Sequence, residues 1–182
     1  MRPGRSLIRA SLLILLLPTL ALAAGIEQAK DLRALAEEAS DRDLVILLAI
    51  SQEHCGFCVR LKEEILQPME ISGDYVDKVL IRELLIDRWE TAIDFDGRDK
   101  RSSEISDRYR VWVTPTLLYL GPDGSELAPR MLGINTVEMY GYYVDQAIDT
   151  ARRRLRAPDA EPYVPTPEDI GIEKPSLDEL PD

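Results

Sequence analysis

The sequence predicts an α/β domain: a central mixed sheet of about four strands with helices on both faces. Three observations predict it. Two near-continuous apolar runs, residues 44–50 and 79–86, read as strands covered on both sides. Between them, at the end of the first run, stands Cys55-Gly56-Phe57-Cys58, followed by a stretch over 59–66 that reads as a helix. A third apolar run, 111–120, carries Thr114-Pro115 and closes on the turn sequence Gly121-Pro122-Asp123-Gly124.

Before the first strand, apolar residues at Ile26, Ala29, Leu32, Leu35, Ala36 and Ala39 follow helical spacing and predict a helix over 26–39, with Ser40-Asp41-Arg42-Asp43 as a polar turn. After the cysteines, Val59, Leu61, Ile65 and Leu66 line a helix face, and Gln67-Pro68 is expected to end or kink that helix. Residues 88–101 are polar and irregular and read as a surface loop. Asp94, Asp96, Gly97 and Asp99 suggest a calcium loop, but Ile105 stands where that motif needs its twelfth-position glutamate. Ser102 or Ser103 is expected to cap a short helix with Ile105 and Tyr109 inward. Residues 126–132 are expected to return as an antiparallel edge strand, where Pro129 is tolerated. Asn135 and Glu138 form a capping-box-like pair for a last helix, packed through Met139, Tyr142, Tyr143, Gln146, Ala147, Ile148 and Ala151.

The two cysteines are the only ones in the chain. A cysteine at a helix N-terminus meets unpaired N–H groups and the positive end of the helix dipole, which favour its thiolate. One turn further in, a second cysteine can close a disulfide. The chemistry this predicts is thiol–disulfide exchange, with Cys55 attacking and Cys58 resolving the mixed disulfide. Two other uses of the pair compete with it. A structural zinc or copper site wants more ligands than two Cys and one His supply, and His54 adjoins Cys55. A structural staple closing so short a loop restrains little chain entropy. No metal is therefore assigned. His54, the only histidine, is either an exposed residue without consequence or an imidazolium that further favours the Cys55 thiolate.

At 182 residues the chain has room for one domain with a real core. Residues 1–23 have the form of a signal peptide: Arg2, Arg5 and Arg9, an apolar stretch around 12–17, and Ala21-Leu22-Ala23 as a cleavage site. Export is expected, most simply to a bacterial periplasm, with retention as an anchor the alternative. The net charge is −11, and removing a basic signal makes the remainder more acidic. That excludes the nucleic-acid-binding class, which needs positive charge to displace phosphate counterions. Residues 24–156 are assigned to the domain. Residues 157–182 are rich in proline and acids and read as a disordered or loosely attached tail.

The order of elements, with Cys55-Gly56-Phe57-Cys58 and the Thr114-Pro115 strand about sixty residues later, resembles the thioredoxin fold over about residues 26–155. In detail it is similar to exported SoxW-type thioredoxins, through Asp94-Phe95-Asp96-Gly97, Tyr109-Arg110-Val111, Thr114-Pro115-Thr116, Gly121-Pro122-Asp123-Gly124, and Arg130 followed by Gly133. The resemblance implies a cis Pro115 lying against the disulfide and a Thr114 that offers its backbone to an extended substrate; a trans proline opening an edge strand is the alternative. It also implies a redox centre made of the cysteine pair itself, without a cofactor. Three positions depart from thioredoxins proper. His54 replaces a tryptophan and Phe57 a proline, so that Gly56-Phe57 sets the redox tuning, and Ala49 replaces a buried aspartate. Glu83 stands where thioredoxins carry a lysine. It is expected either to point under the active site and move the proton of Cys58, or to be an exposed strand glutamate. The function implied is a small monomeric periplasmic reductase of client-protein disulfides, recharged by a membrane-bound electron donor. A disulfide oxidase or isomerase, and a non-catalytic binding module on the same scaffold, are the alternatives.

Overall fold

The computed structural model describes residues 25–87, 89–134, 137–157, 159 and 161–171. The expected signal peptide and the Asn135 cap lie outside them. The elements are α1 (Leu32–Arg42), β1 (Val45–Ser51), α2 (Gly56–Leu61), a π-helical turn (Lys62–Leu66), α3 (Gln67–Ser72), β2 (Val79–Leu85), β3 (Thr91–Ile93), β4 (Asp99–Arg101), α4 (Ser102–Arg108), β5 (Thr116–Leu120), β6 (Met131–Leu132) and α5 (Val137–Leu155).

Four strands form one sheet in the order β2-β1-β5-β6. β1 runs parallel to β2 and antiparallel to β5, and β5 is antiparallel to β6, so the sheet is mixed. Every residue of β1 is buried because strand alternation feeds two cores. Val45, Leu47 and Ala49 join Leu61, Leu66, Met69, Tyr140, Val144 and Ile148 on the α2–α3–α5 face. Ile46, Leu48 and Ile50 join Leu32, Leu35, Ala39, Ile105 and Tyr109 on the α1–α4 face. Each such leucine or isoleucine contributes about 1.5–3 kcal/mol by leaving water.

Several expectations are corrected. The first helix starts at Leu32, not near Ile26. Residues ahead of it are extended and pair with the edge of β2, with Ala29 N–H donating to Glu83 O (2.7 Å) and Glu83 N–H to Glu27 O (2.9 Å). Asp31 then caps the helix through Ala34 N–H (2.8 Å). Pro68 does not end its helix. The turn before it widens to π geometry, Gln67 N–H reaching back to Lys62 O, and Pro68 falls in the first turn of α3, where its missing N–H is tolerated. The helix stops at Ser72, with Gly73 in the left-handed conformation (φ 75°).

Residues 89–101, expected within a loop, are not merely a loop. β3 and β4 pair as a short antiparallel ribbon around buried Asp94, whose Oδ2 accepts from Lys100 Nζ (2.6 Å) and Arg108 Nη1 (2.8 Å). No serine caps α4; its N-cap is Arg101, without a side-chain cap, and Ser102 is buried. The expected strand over 126–132 shrinks to a bridge at Glu126 and the two residues of β6, because buried Arg130 is drawn inward to pair with Glu126 and to donate to Tyr109 O (2.6 Å). The packing face of α5 is Tyr140, Val144, Ile148 and Ala151; Met139, Tyr142 and Tyr143 point to solvent. Part of the tail expected to be loose lies against the domain: Ile170 is buried, and its carbonyl accepts from Trp112 Nε1 (2.7 Å).

Candidate active site

The site forms where β1 ends and α2 begins. Ser51 O accepts from Ile86 N–H (3.0 Å) and Asp87 Oδ2 accepts from Glu53 N–H (2.9 Å), so the end of β2 fixes the approach to the cysteines. Cys55 is the N-cap of α2, in extended conformation. Its Sγ accepts from Cys58 N–H (3.1 Å), and its carbonyl accepts from the N–H groups of Cys58 and Val59 (3.0 Å each). The sulfur thus sits where the helix presents donors, the placement that stabilises a thiolate once the pair is reduced. Cys55 and Cys58 are joined as a disulfide. Cys55 is half-buried and Cys58 is buried, so an incoming group meets Cys55 first.

Opposite the disulfide, Thr114-Pro115 has a cis peptide bond. Thr114 O lies 3.9 Å from Cys55 Sγ, and Thr114 Oγ1 is 3.7 Å from the same sulfur while donating to Gln52 Oε1 (3.0 Å). The segment is pinned from behind: Thr116 Oγ1 donates to Val113 O, Gly133 N–H to Pro115 O, and Tyr140 Oη to Gly133 O, each at 2.7 Å. A proline has no N–H to compete for the sulfur, and Thr114 keeps its carbonyl beside it. Between the cysteines Phe57 is 62% exposed, and Trp112, two residues before Thr114, is 62% exposed; His54 and Gly56 also lie at the surface.

The pairing Ala49↔Glu83 carries Glu83 on β2, the strand beside β1. Its side chain is buried, so it is not the exposed strand glutamate. Lys62 Nζ lies 2.8 Å from Oε1 and 3.1 Å from Oε2. Lys62 follows Cys58 by four residues, on the same run of helix. Sequence reasoning missed Lys62 and Gln52. Lys62 carried a signal, the four-residue spacing from Cys58; Gln52 carried none. Among the described residues no three His, Cys, Asp or Glu side chains gather as a metal site.

A family model described as a thioredoxin-like domain matches residues 32–148. Among solved structures the chain is similar to a DsbH oxidoreductase, with 24% identity and a TM-score of 0.49 over 74% of this chain and 92% of that one. It is similar to a poplar thioredoxin h at 20% identity and a TM-score of 0.44, over 62% of this chain and 85% of that one. With mitochondrial thioredoxin 3 of Saccharomyces cerevisiae it shares 18% identity and a TM-score of 0.46, over 68% of this chain and 93% of that one. No curated protein matches.

Proposed function

The chain belongs to the thioredoxin-like domain family, and from that premise we propose that it is a periplasmic reductase of client-protein disulfides. Its Cys55–Cys58 pair is a thiol–disulfide oxidoreductase centre that needs no separate cofactor. One observation carries the reading: a half-buried Cys55 Sγ at a helix start, bonded to buried Cys58 and 3.9 Å from the Thr114 carbonyl.

The exchange begins from the dithiol form. The Cys55 thiolate attacks one sulfur of a client disulfide, and the other client sulfur leaves as a thiolate. Thr114 aligns the client backbone, and the exposed Phe57 and Trp112 give its side chains an apolar surface. Cys58 then loses its proton and attacks Cys55 Sγ. The mixed disulfide breaks, the Cys55–Cys58 disulfide forms, and the second client sulfur leaves reduced. Glu83, held by Lys62, takes the proton of Cys58, and His54 favours the Cys55 thiolate. Two electrons have passed to the client, so a membrane-bound donor must restore the dithiol. The form with the cysteines bonded is the one awaiting that donor.

Support for export comes from the sequence of residues 1–23. The finer likeness to SoxW-type thioredoxins belongs to the same proposal. The reduction potential of the pair tests the direction. A value near −270 mV, set by equilibration against dithiothreitol, is expected for a reductase, and a value near −120 mV would reassign the chain as an oxidase. Failure to form a reversible disulfide would leave only a binding module.

A further inference from the structure

Residues 161–171 form a strap whose place in the fold the exchange chemistry does not explain. Ile170 is 5% exposed, and its carbonyl accepts from Trp112 Nε1 at 2.7 Å. Thr166 N–H and Oγ1 both donate to Asp169 Oδ2 (2.8 and 2.7 Å), closing the strap into a compact turn. Arg154 lies over the Tyr163 ring at 5.2 Å. A cavity of about 210 Å³ under the strap is lined by Arg108, Arg110, Glu126 and Arg130 from the domain and by Val164 and Ile170 from the strap.

Gly171 is where the strap meets the site. A Cβ there would stand 2.7 Å from Leu132 Cδ1 and 2.9 Å from Trp112 Cζ2, and its φ is +69°. Trp112 precedes Thr114 by two residues. Leu132 pairs with Thr116, and the next residue, Gly133, donates to Pro115 O. The strap is therefore pressed on both chain segments that flank Thr114-Pro115, while Cys55 remains half-buried rather than covered.

We propose that residues 161–171 are an intramolecular ligand for the surface along which a client polypeptide extends from Thr114-Pro115. Seated, the strap restricts long protein substrates and leaves small disulfides free to reach Cys55. This rests on the reading of the chain as a reductase of protein disulfides. A site that is competent only when the strap is displaced loses apparent affinity in proportion to the open fraction.

The test uses the full chain with Gly171→Val and, separately, Ile170→Asp. Both unseat the strap without touching the cysteines or Thr114-Pro115. Trp112 fluorescence in a Trp89→Phe background reports the release. If the strap is seated about nine-tenths of the time, either variant raises kcat/KM on insulin disulfides about tenfold, while kcat/KM on dithiobisnitrobenzoate stays within about twofold. The constant small-disulfide rate also shows that the site is intact. No gain on insulin, or an equal gain on both substrates, overturns the strap while leaving the reductase reading in place. If the unmodified chain reduces neither substrate, the reductase reading fails and the strap inference fails with it.

Discussion

Lys62 Nζ lies 2.8 Å from Glu83 Oε1, with Glu83 buried and Lys62 four residues past the resolving cysteine. A carboxylate so buried needs its cation, and the cation is carried by the same helical run as Cys58. Glu83→Gln keeps the shape and removes the proton acceptor that the proposed exchange assigns to Glu83. Loss of such a group costs about 10²–10⁴-fold in the step it serves. The variant is expected to slow the closing of the Cys55–Cys58 disulfide within that range and to alter its pH–rate profile. Stopped-flow measurement across pH checks it; an unchanged profile removes Glu83 from the mechanism.

Cys58→Ala should accumulate a mixed disulfide between Cys55 and a client, because nothing then attacks the Cys55 sulfur. Cys55→Ser should accumulate none, since Cys58 is 1% exposed and cannot meet a folded client. Mass spectrometry of the trapped adducts distinguishes the two. Equal trapping by both variants would contradict the assignment of nucleophile and resolver.

The chemistry was written locally, and so it was legible. Cys55, Cys58, Thr114 and Pro115 advertise themselves through two cysteines at a strand-to-helix junction and a proline opening a strand. Lys62 was not, because its meaning depends on the pairing of Ala49 with Glu83, a contact between residues far apart in sequence. The ribbon of β3 and β4 is local in sequence but was hidden for a different reason. Its strands are three residues each, and ion pairs from Asp94 to Lys100 and Arg108 hold it in place of an apolar pattern. On α5 the expected face holds at Ile148 and Ala151 and fails at Met139, Tyr142 and Tyr143, which are exposed; Tyr140 and Val144 complete the helical stripe. Composition does not show which part of the tail touches the domain; over 161–171 the contacts include one buried isoleucine and one indole hydrogen bond.

Arg130 and Glu126 form a buried, hydrogen-bonded ion pair, and Arg130 also donates to Tyr109 O. Removing one partner strands the other charge. Arg130→Ala is therefore expected to lower stability by about 3–5 kcal/mol, while a double change to well-packed apolar residues, Arg130→Met with Glu126→Leu, costs far less. Urea unfolding of the three proteins decides it. A small loss in the single variant would mean that water reaches the pair.

Tyr109 donates its hydroxyl to Gly124 O (2.8 Å) and is pushed up to about 12, chiefly by burial, with Arg108 pulling the other way. The sign follows from that upward shift. In the unfolded chain the phenol ionises near 10, so the folded state holds its proton longer. The stability it contributes is complete below about pH 10 and is lost as pH rises from there toward 12, a few kcal/mol at most. Tyr109→Phe loses the hydrogen bond at every pH but has no proton to lose. The gap in unfolding free energy between the two proteins is expected to narrow above pH 10 and stay constant between pH 6 and about 9. Denaturant unfolding at a series of pH values measures it. A gap that stays constant through pH 11.5 would mean that Tyr109 ionises in the folded protein as it does in the unfolded one.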